Sequence, residues 1–152
     1  MFEDLIEEIR KREAVTFPQV TVVFLHYGVV RGIEYILRET TKETGKKTLE
    51  TSHVKTVMSK EIGLLEKKLK QSIEESGERK ELYRLIIFVA RGVDVKLTSE
   101  TQKYINKLVN SSVHVVVANG ARLAKGDGRE EVEPEDLDES CHRTFESKWF
   151  VC

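Results

Sequence analysis

Helix breakers are scarce in this chain, with two prolines and nine glycines among 152 residues. Few positions force a helix to stop, and the abundant Glu, Lys, Leu and Val point to a mostly helical protein. Cysteine is nearly absent. Cys141 and Cys152 are too few and too close to the C-terminus for a disulfide framework, which implies a reduced, intracellular protein. Asn and Gln are rare beside Glu and Lys, a balance that leans toward a thermophile. No apolar run approaches the roughly 20 residues of a membrane span. The opening residues, MFEDLIEEIRKRE, are charged where a signal segment would be apolar.

Catalytic and metal chemistry are lacking too. His26, His53, His114 and His142 have no helical ligand spacing, and no Cys/His cluster exists, so neither metal nor cofactor is expected. His26 and His114 fall inside helical patterns where partial burial is the default, with a DNA-facing His114 as the other reading. His142 and Glu146, one turn apart, read as a surface pair. No nucleophile, base and orienter group together, which argues against an enzyme. Gly45-Lys46-Lys47-Thr48 looks like the end of a phosphate-binding P-loop, but that loop needs a glycine where Thr40 stands.

Charge of one sign is missing overall. There are 25 basic and 26 acidic side chains, a net charge of −1, which at first disfavours a nucleic-acid binder. The distribution is less even. Nine acids lie between Asp127 and Glu146, leaving residues 1–126 with 22 basic and 17 acidic side chains. The chain is a mildly basic body with an acidic C-terminal patch, an asymmetry that bears on partners.

What is present is helical periodicity. Residues 3–12 form a short amphipathic pattern on Phe2, Leu5, Ile6 and Ile9. Thr16-Phe17-Pro18 is a start signal with Thr16 as the capping hydroxyl, and nothing breaks the helix before Gly45. Such a helix is apolar on two faces and about 42 Å long, so it is a spine buried on two sides. Thr51 or Ser52 caps the next helix, which is expected to run to Ser76 with Gly63 as its weak point. The pattern then repeats: a short helix over 81–91, a loop, a long helix capped by Thr98 and Ser99, a loop, and a last helix beginning at Pro134. Gly45 and Gly128 occupy equivalent places, 83 residues apart. This internal duplication is the main organisational fact.

The second half resembles archaeal histones. The resemblance rests on Lys96-Leu97-Thr98 before the long helix and Ala121-Arg122-Leu123-Ala124 near its end. Gly128-Arg129 in the second loop and Val132-Glu133-Pro134-Glu135-Asp136-Leu137 at the last helix complete it. In the first half, Gly45-Lys46-Lys47-Thr48-Leu49 and His53-Val54-Lys55 are similar to the first repeat of tandem archaeal histones, with a long helix about one residue shorter. The resemblance implies an all-α protein of two fused histone folds forming an intramolecular pair. Repeat one would span 1–62, a helical connector 63–79, repeat two 80–142 and a C-terminal tail 143–152. A lone repeat cannot bury both faces of its spine, and two on one chain supply the pair internally.

In the family, the first loop of one partner lies beside the second loop of the other; the second loop holds DNA phosphate, and a basic side chain from the first loop enters the minor groove. The resemblance therefore implies DNA contacts at Lys46, Lys47, Thr48 and Lys96, with Arg12 near the other first loop, whose key position is assigned to Ala14. Loop bridges are expected between 47–49 and 95–97, and between 15–17 and 131–133. Arg129-Glu130-Glu131 departs from the family's basic residue followed by Thr, and two carboxylates there repel phosphate. Arg129 is expected to pair structurally with Asp136; the equivalent Lys46 and His53 cannot form that pair. Glu43 and His53 are assigned to an oligomer interface between two chains, tightened by protonation of His53. Trp149 and Phe150 are expected to tuck onto the body.

These features lead to a sequence-nonspecific, chromatin-like architectural protein of the cytoplasm and nucleoid. It would bind the backbone and minor groove of double-stranded DNA and self-associate, with no membrane or small-molecule partner. The alternatives are a histone-fold protein-interaction module and a capping histone that binds DNA weakly at one end.

Overall fold

The computed structural model describes residues 1–146; Trp149 and Phe150 lie outside them. Seven α-helices appear in the described chain: α1 Glu3–Glu13, α2 Gln19–Thr44, α3 Thr51–Val57, α4 Ser59–Leu69, α5 Lys80–Gly92, α6 Ser99–Gly126 and α7 Pro134–Phe145. A short–long–short order thus occurs twice, in α1–α3 and α5–α7, with α4 and a 3-10 turn at Ile73–Glu75 between them. Two two-residue strands, β1 Thr48–Leu49 and β2 Lys96–Leu97, pair in parallel.

Each terminus has a local cause. Gly45 adopts φ 67° and its N–H reaches the Thr41 carbonyl, which ends α2. Gly128 takes φ 74° in the corresponding loop. Thr98 caps α6 by accepting the Thr101 amide. Thr16 does not cap α2. Pro18 stands at that cap, and Thr16 is used instead in a bridge to Glu131. Glu50, not Thr51 or Ser52, precedes the first turn of α3 as its cap.

The expected helix from residue 51 to 76 is not continuous. It bends at Met58 (φ −94°, ψ 15°), not at Gly63, and ends at Leu69, well before Gly77. The ladder of amide bonds survives the bend: Met58 donates to Val54 and Ile62 to Met58, both at 2.9 Å. The bend lays Ile62, Leu65 and Leu69 against α6 and α7. Lys70 then takes the left-handed conformation and stops α4.

A single apolar cluster runs through both halves, including Phe2, Ile33, Leu65, Ile86, Val113 and Phe145. By length and composition α2 passes the test for a membrane-crossing helix, with a mean hydropathy of 1.4 over its most apolar window. Its buried side chains Leu25, Val29, Ile33 and Leu37 pack instead against α3, α5, α6 and α7, as a core spine requires.

Two buried threonines mark how the halves correspond. Thr21 donates to the Val132 carbonyl at 2.5 Å, and Thr101 donates to the Leu49 carbonyl at 2.9 Å. Each hydroxyl, near the start of a long helix, ties that helix to the second loop of the other half. From Thr21 to Gly45 is 24 residues and from Thr101 to Gly128 is 27, so the first long segment is shorter by three residues rather than one.

Candidate nucleic-acid interface

At one end of the molecule, β1 and β2 pair with Thr48 opposite Lys96 and Leu49 opposite Leu97. The Lys96 amide donates to the Lys47 carbonyl at 2.7 Å. This pairing places Lys46, Lys47 and Thr48 alongside Lys96, all four exposed. Among the described residues, neither the Lys46 nor the Lys96 ammonium has an ion-pair partner. Lys47 does: its Nζ lies 3.0 Å from Asp94 Oδ2, and both side chains are well exposed. No motif in the sequence marks Asp94. It ends the first loop's turn in the left-handed conformation (φ 56°), and that places its carboxylate inside the cation cluster.

The opposite end has the same backbone and different chemistry. Thr16 bridges Glu131: its amide donates to the Glu130 carbonyl at 2.8 Å, and Val132 donates back to the Thr16 carbonyl at 2.9 Å. Thr16 is therefore the counterpart of Lys96. Ala14, assigned to that place from sequence, corresponds instead to Asp94, each being the left-handed residue after its short helix (φ 54° and 56°). Thr16 supplies a neutral side chain and the second loop supplies Glu130 and Glu131, both exposed.

Arg12 does not join the lysine cluster. It lines a cavity of about 430 Å³ between α1, α4 and α6 with Lys68, Asn119 and Arg122, and its nearest acid is Glu8 at 4.0 Å. His114 lines the same cavity, 3.5 Å from Arg79. Burial, with Arg79 nearby, lowers its pKa.

Arg129 and Asp136 meet in a two-pronged contact: Nη1 to Oδ2 at 2.8 Å and Nη2 to Oδ1 at 2.6 Å. Asp136 also accepts the Glu133 amide at 2.8 Å, which caps α7. Burial alone would raise the Asp136 carboxyl; the Arg129 fork and the Glu133 amide outweigh it and hold the group below its ordinary value. In the first half His53 performs the capping part alone. Its Nδ1 accepts the Glu50 amide at 3.1 Å. Glu43 is exposed at the end of α2.

Arg79, the residue just before α5, is the main polar tie between the halves. Its amide and carbonyl bond the Asn106 side chain, both at 2.7 Å, and its guanidinium reaches Asn110 and Asp4, each at 2.7 Å. The same guanidinium stacks over Phe2 with 4.6 Å to the ring centroid. The only sequence signal was a pair of asparagines, Asn106 and Asn110, on a helix face that proved to be buried.

No sequence profile of a protein family matches the chain, and no curated protein matches it. Among solved structures it is similar to the histone from Methanopyrus kandleri, with 18% identity, a TM-score of 0.65 and coverage of 96% of each chain. The match therefore runs through both short–long–short segments, and the chain has a histone fold.

Proposed function

We propose that the chain is two histone folds on one polypeptide, paired with each other, and that it binds double-stranded DNA by backbone and minor-groove contacts without reading bases. The two repeats would be 1–62 and 80–142, with 63–79 as connector and 143–152 as tail. The observation that carries the DNA reading is the β1–β2 pairing, which sets Lys46, Lys47 and Thr48 beside Lys96 with two of the three ammoniums uncompensated. Cations on a rigid loop pair suit phosphates, whose contacts supply affinity without sequence information. The histone structural neighbour supports the same reading. The setting would be the nucleoid of the cytoplasm, and the chain would not be an enzyme.

Binding would be lopsided. Glu130 and Glu131 are exposed at the opposite end, where Thr16 stands in the place that Lys96 holds at the first. This favours the capping form of the proposal, in which DNA is held at one end only. The same acids favour a second reading, a histone-fold module whose main partner is another protein.

A gel shift on mixed-sequence duplex across a salt series separates the two. DNA binding predicts an affinity that falls steeply with salt and is lost when Lys46, Lys47 and Lys96 are all changed to Glu. Equal binding by that variant and the parent rejects the lysine patch. Self-association is proposed through the surface that carries Glu43 and His53; sedimentation showing only monomer rejects it.

A further inference from the structure

We propose that Phe88 is an apolar wedge that enters the minor groove of bound DNA between two phosphate-holding arginines. The inference rests on the DNA reading above and adds a residue and a mode of contact to it. Phe88 lies on α5 with 73% of its surface exposed. It is the most exposed large apolar side chain among the described residues, ahead of Val20 at 63%. Arg84 precedes it by four residues and Arg91 follows it by three, spacings that put all three side chains on one face of the helix. All three are exposed, and among the described residues neither arginine has an ion-pair partner.

This face leads directly into the lysine patch. Arg91 sits in the last turn of α5, and the chain passes through Asp94 to Lys96 in β2. A protein partner would have to accept Arg84 and Arg91 on either side of one phenyl ring, with Lys96 five residues further along the chain. A polyanion suits it. The two arginines are about 10 Å apart along the helix axis, while the minor groove is about 6 Å wide. They can take phosphates on its two walls with the ring directed between them. Apolar side chains placed this way partly unstack a base step and bend the duplex.

The other half lacks the device. With Ala14 matched to Asp94, the counterparts of Arg84, Phe88 and Arg91 are Asp4, Glu8 and Lys11. Asp4 is tied to Arg79 and Glu8 lies near Arg12. The wedge therefore belongs to the same end as Lys46, Lys47 and Lys96, and adds to the asymmetry of the surface.

The test uses the full chain and a mixed-sequence duplex carrying 2-aminopurine, whose fluorescence rises on unstacking. The parent should raise that signal, and Phe88→Ala should abolish the rise. Phe88→Ala should also weaken binding about fivefold or more, by analogy with lost aromatic–base contacts. Its salt slope should match the parent's, because no charge is removed. Arg84→Ala and Arg91→Ala should each flatten that slope by about one. Phe88→Ala should melt at the parent's temperature, since the ring packs little in the fold. If the triple Lys→Glu variant loses binding while Phe88→Ala keeps full affinity and the 2-aminopurine signal, the wedge is wrong and the DNA reading stands. If the triple variant binds like the parent, the DNA reading falls and the wedge with it. A change in sedimentation on Phe88→Ala without DNA would assign the ring to a protein contact and overturn the wedge.

Discussion

Asp94 and Asp136 show how one carboxylate can weaken a surface and another can hold a loop. Asp94 sits 3.0 Å from Lys47, in a fully solvated pair. Such pairs add little to stability, so the effect of Asp94 lies in the charge it cancels at the DNA surface. Asp94→Asn should therefore raise DNA affinity several-fold and steepen the salt slope by about one, as Lys47 becomes available. Unchanged affinity in a salt titration would show that Lys47 does not meet phosphate. Asp136 is nearly buried and accepts both Arg129 and the Glu133 amide. Its pKa is held below the ordinary value of 3.8, so its stabilising share is complete above about pH 4 and is lost as pH falls through the lowered value. Asp136→Ala should cost about 2 kcal/mol at pH 7, from a lost cap and a lost charge-assisted bond. In urea melts, Asp136→Asn should show a smaller loss of stability between pH 5 and pH 2 than the parent; an equal loss would remove Asp136 from the acid response. The Arg129–Asp136 spacing was readable from the second loop's resemblance. Arg79 was not, because its partners Asn106 and Asn110 lie about 30 positions away and only folding brings them near.

At the scale of elements, the two long helices and their order were legible because they are long, apolar on two faces and stopped by Gly45 and by the Gly126–Gly128 turn. Boundaries were less so. Val54, Met58 and Ile62 recur every fourth residue, so the bend at Met58 is invisible to periodicity, and the amide ladder through it stays intact. The loop pairings, 47–49 with 95–97 and 15–17 with 131–133, followed from the resemblance, but the residue matched to Lys96 did not: it is Thr16 rather than Ala14, since the left-handed turn at Ala14 turns the chain before the pairing begins. Thr21 and Thr101 give a test of that correspondence. Each buried hydroxyl satisfies a loop carbonyl from the other half. Thr21→Val and Thr101→Val should each destabilise by about 1–2 kcal/mol. The double variant should show the sum to within about 0.5 kcal/mol, as the two sites share no partners. Chemical denaturation decides it; a neutral Thr21→Val beside a costly Thr101→Val would mean that the two ends are not equivalent in construction.

For the whole molecule, near-symmetry of backbone carries strong asymmetry of charge. One end offers Lys46, Lys47, Lys96, Arg84 and Arg91 against Asp94; the other offers Glu130, Glu131, Asp4 and Glu8 against Lys11, with the neutral Thr16. At an effective dielectric near 20, unit charges about 4 Å apart interact by roughly 4 kcal/mol, so two carboxylates at a phosphate path outweigh one nearby arginine. Salt screens the more distant acids of α7 beyond about 10 Å. The net charge of −1 hid this division, because it averages over two ends that do opposite things. The most direct test of the central claim is a hydroxyl-radical footprint on mixed-sequence duplex. The parent should protect a short, one-ended tract. Changing Glu130 to Lys and Glu131 to Thr should lengthen it, and changing Lys46, Lys47 and Lys96 to Glu should erase it. A footprint unchanged in both variants would contradict a DNA-binding, one-ended histone pair.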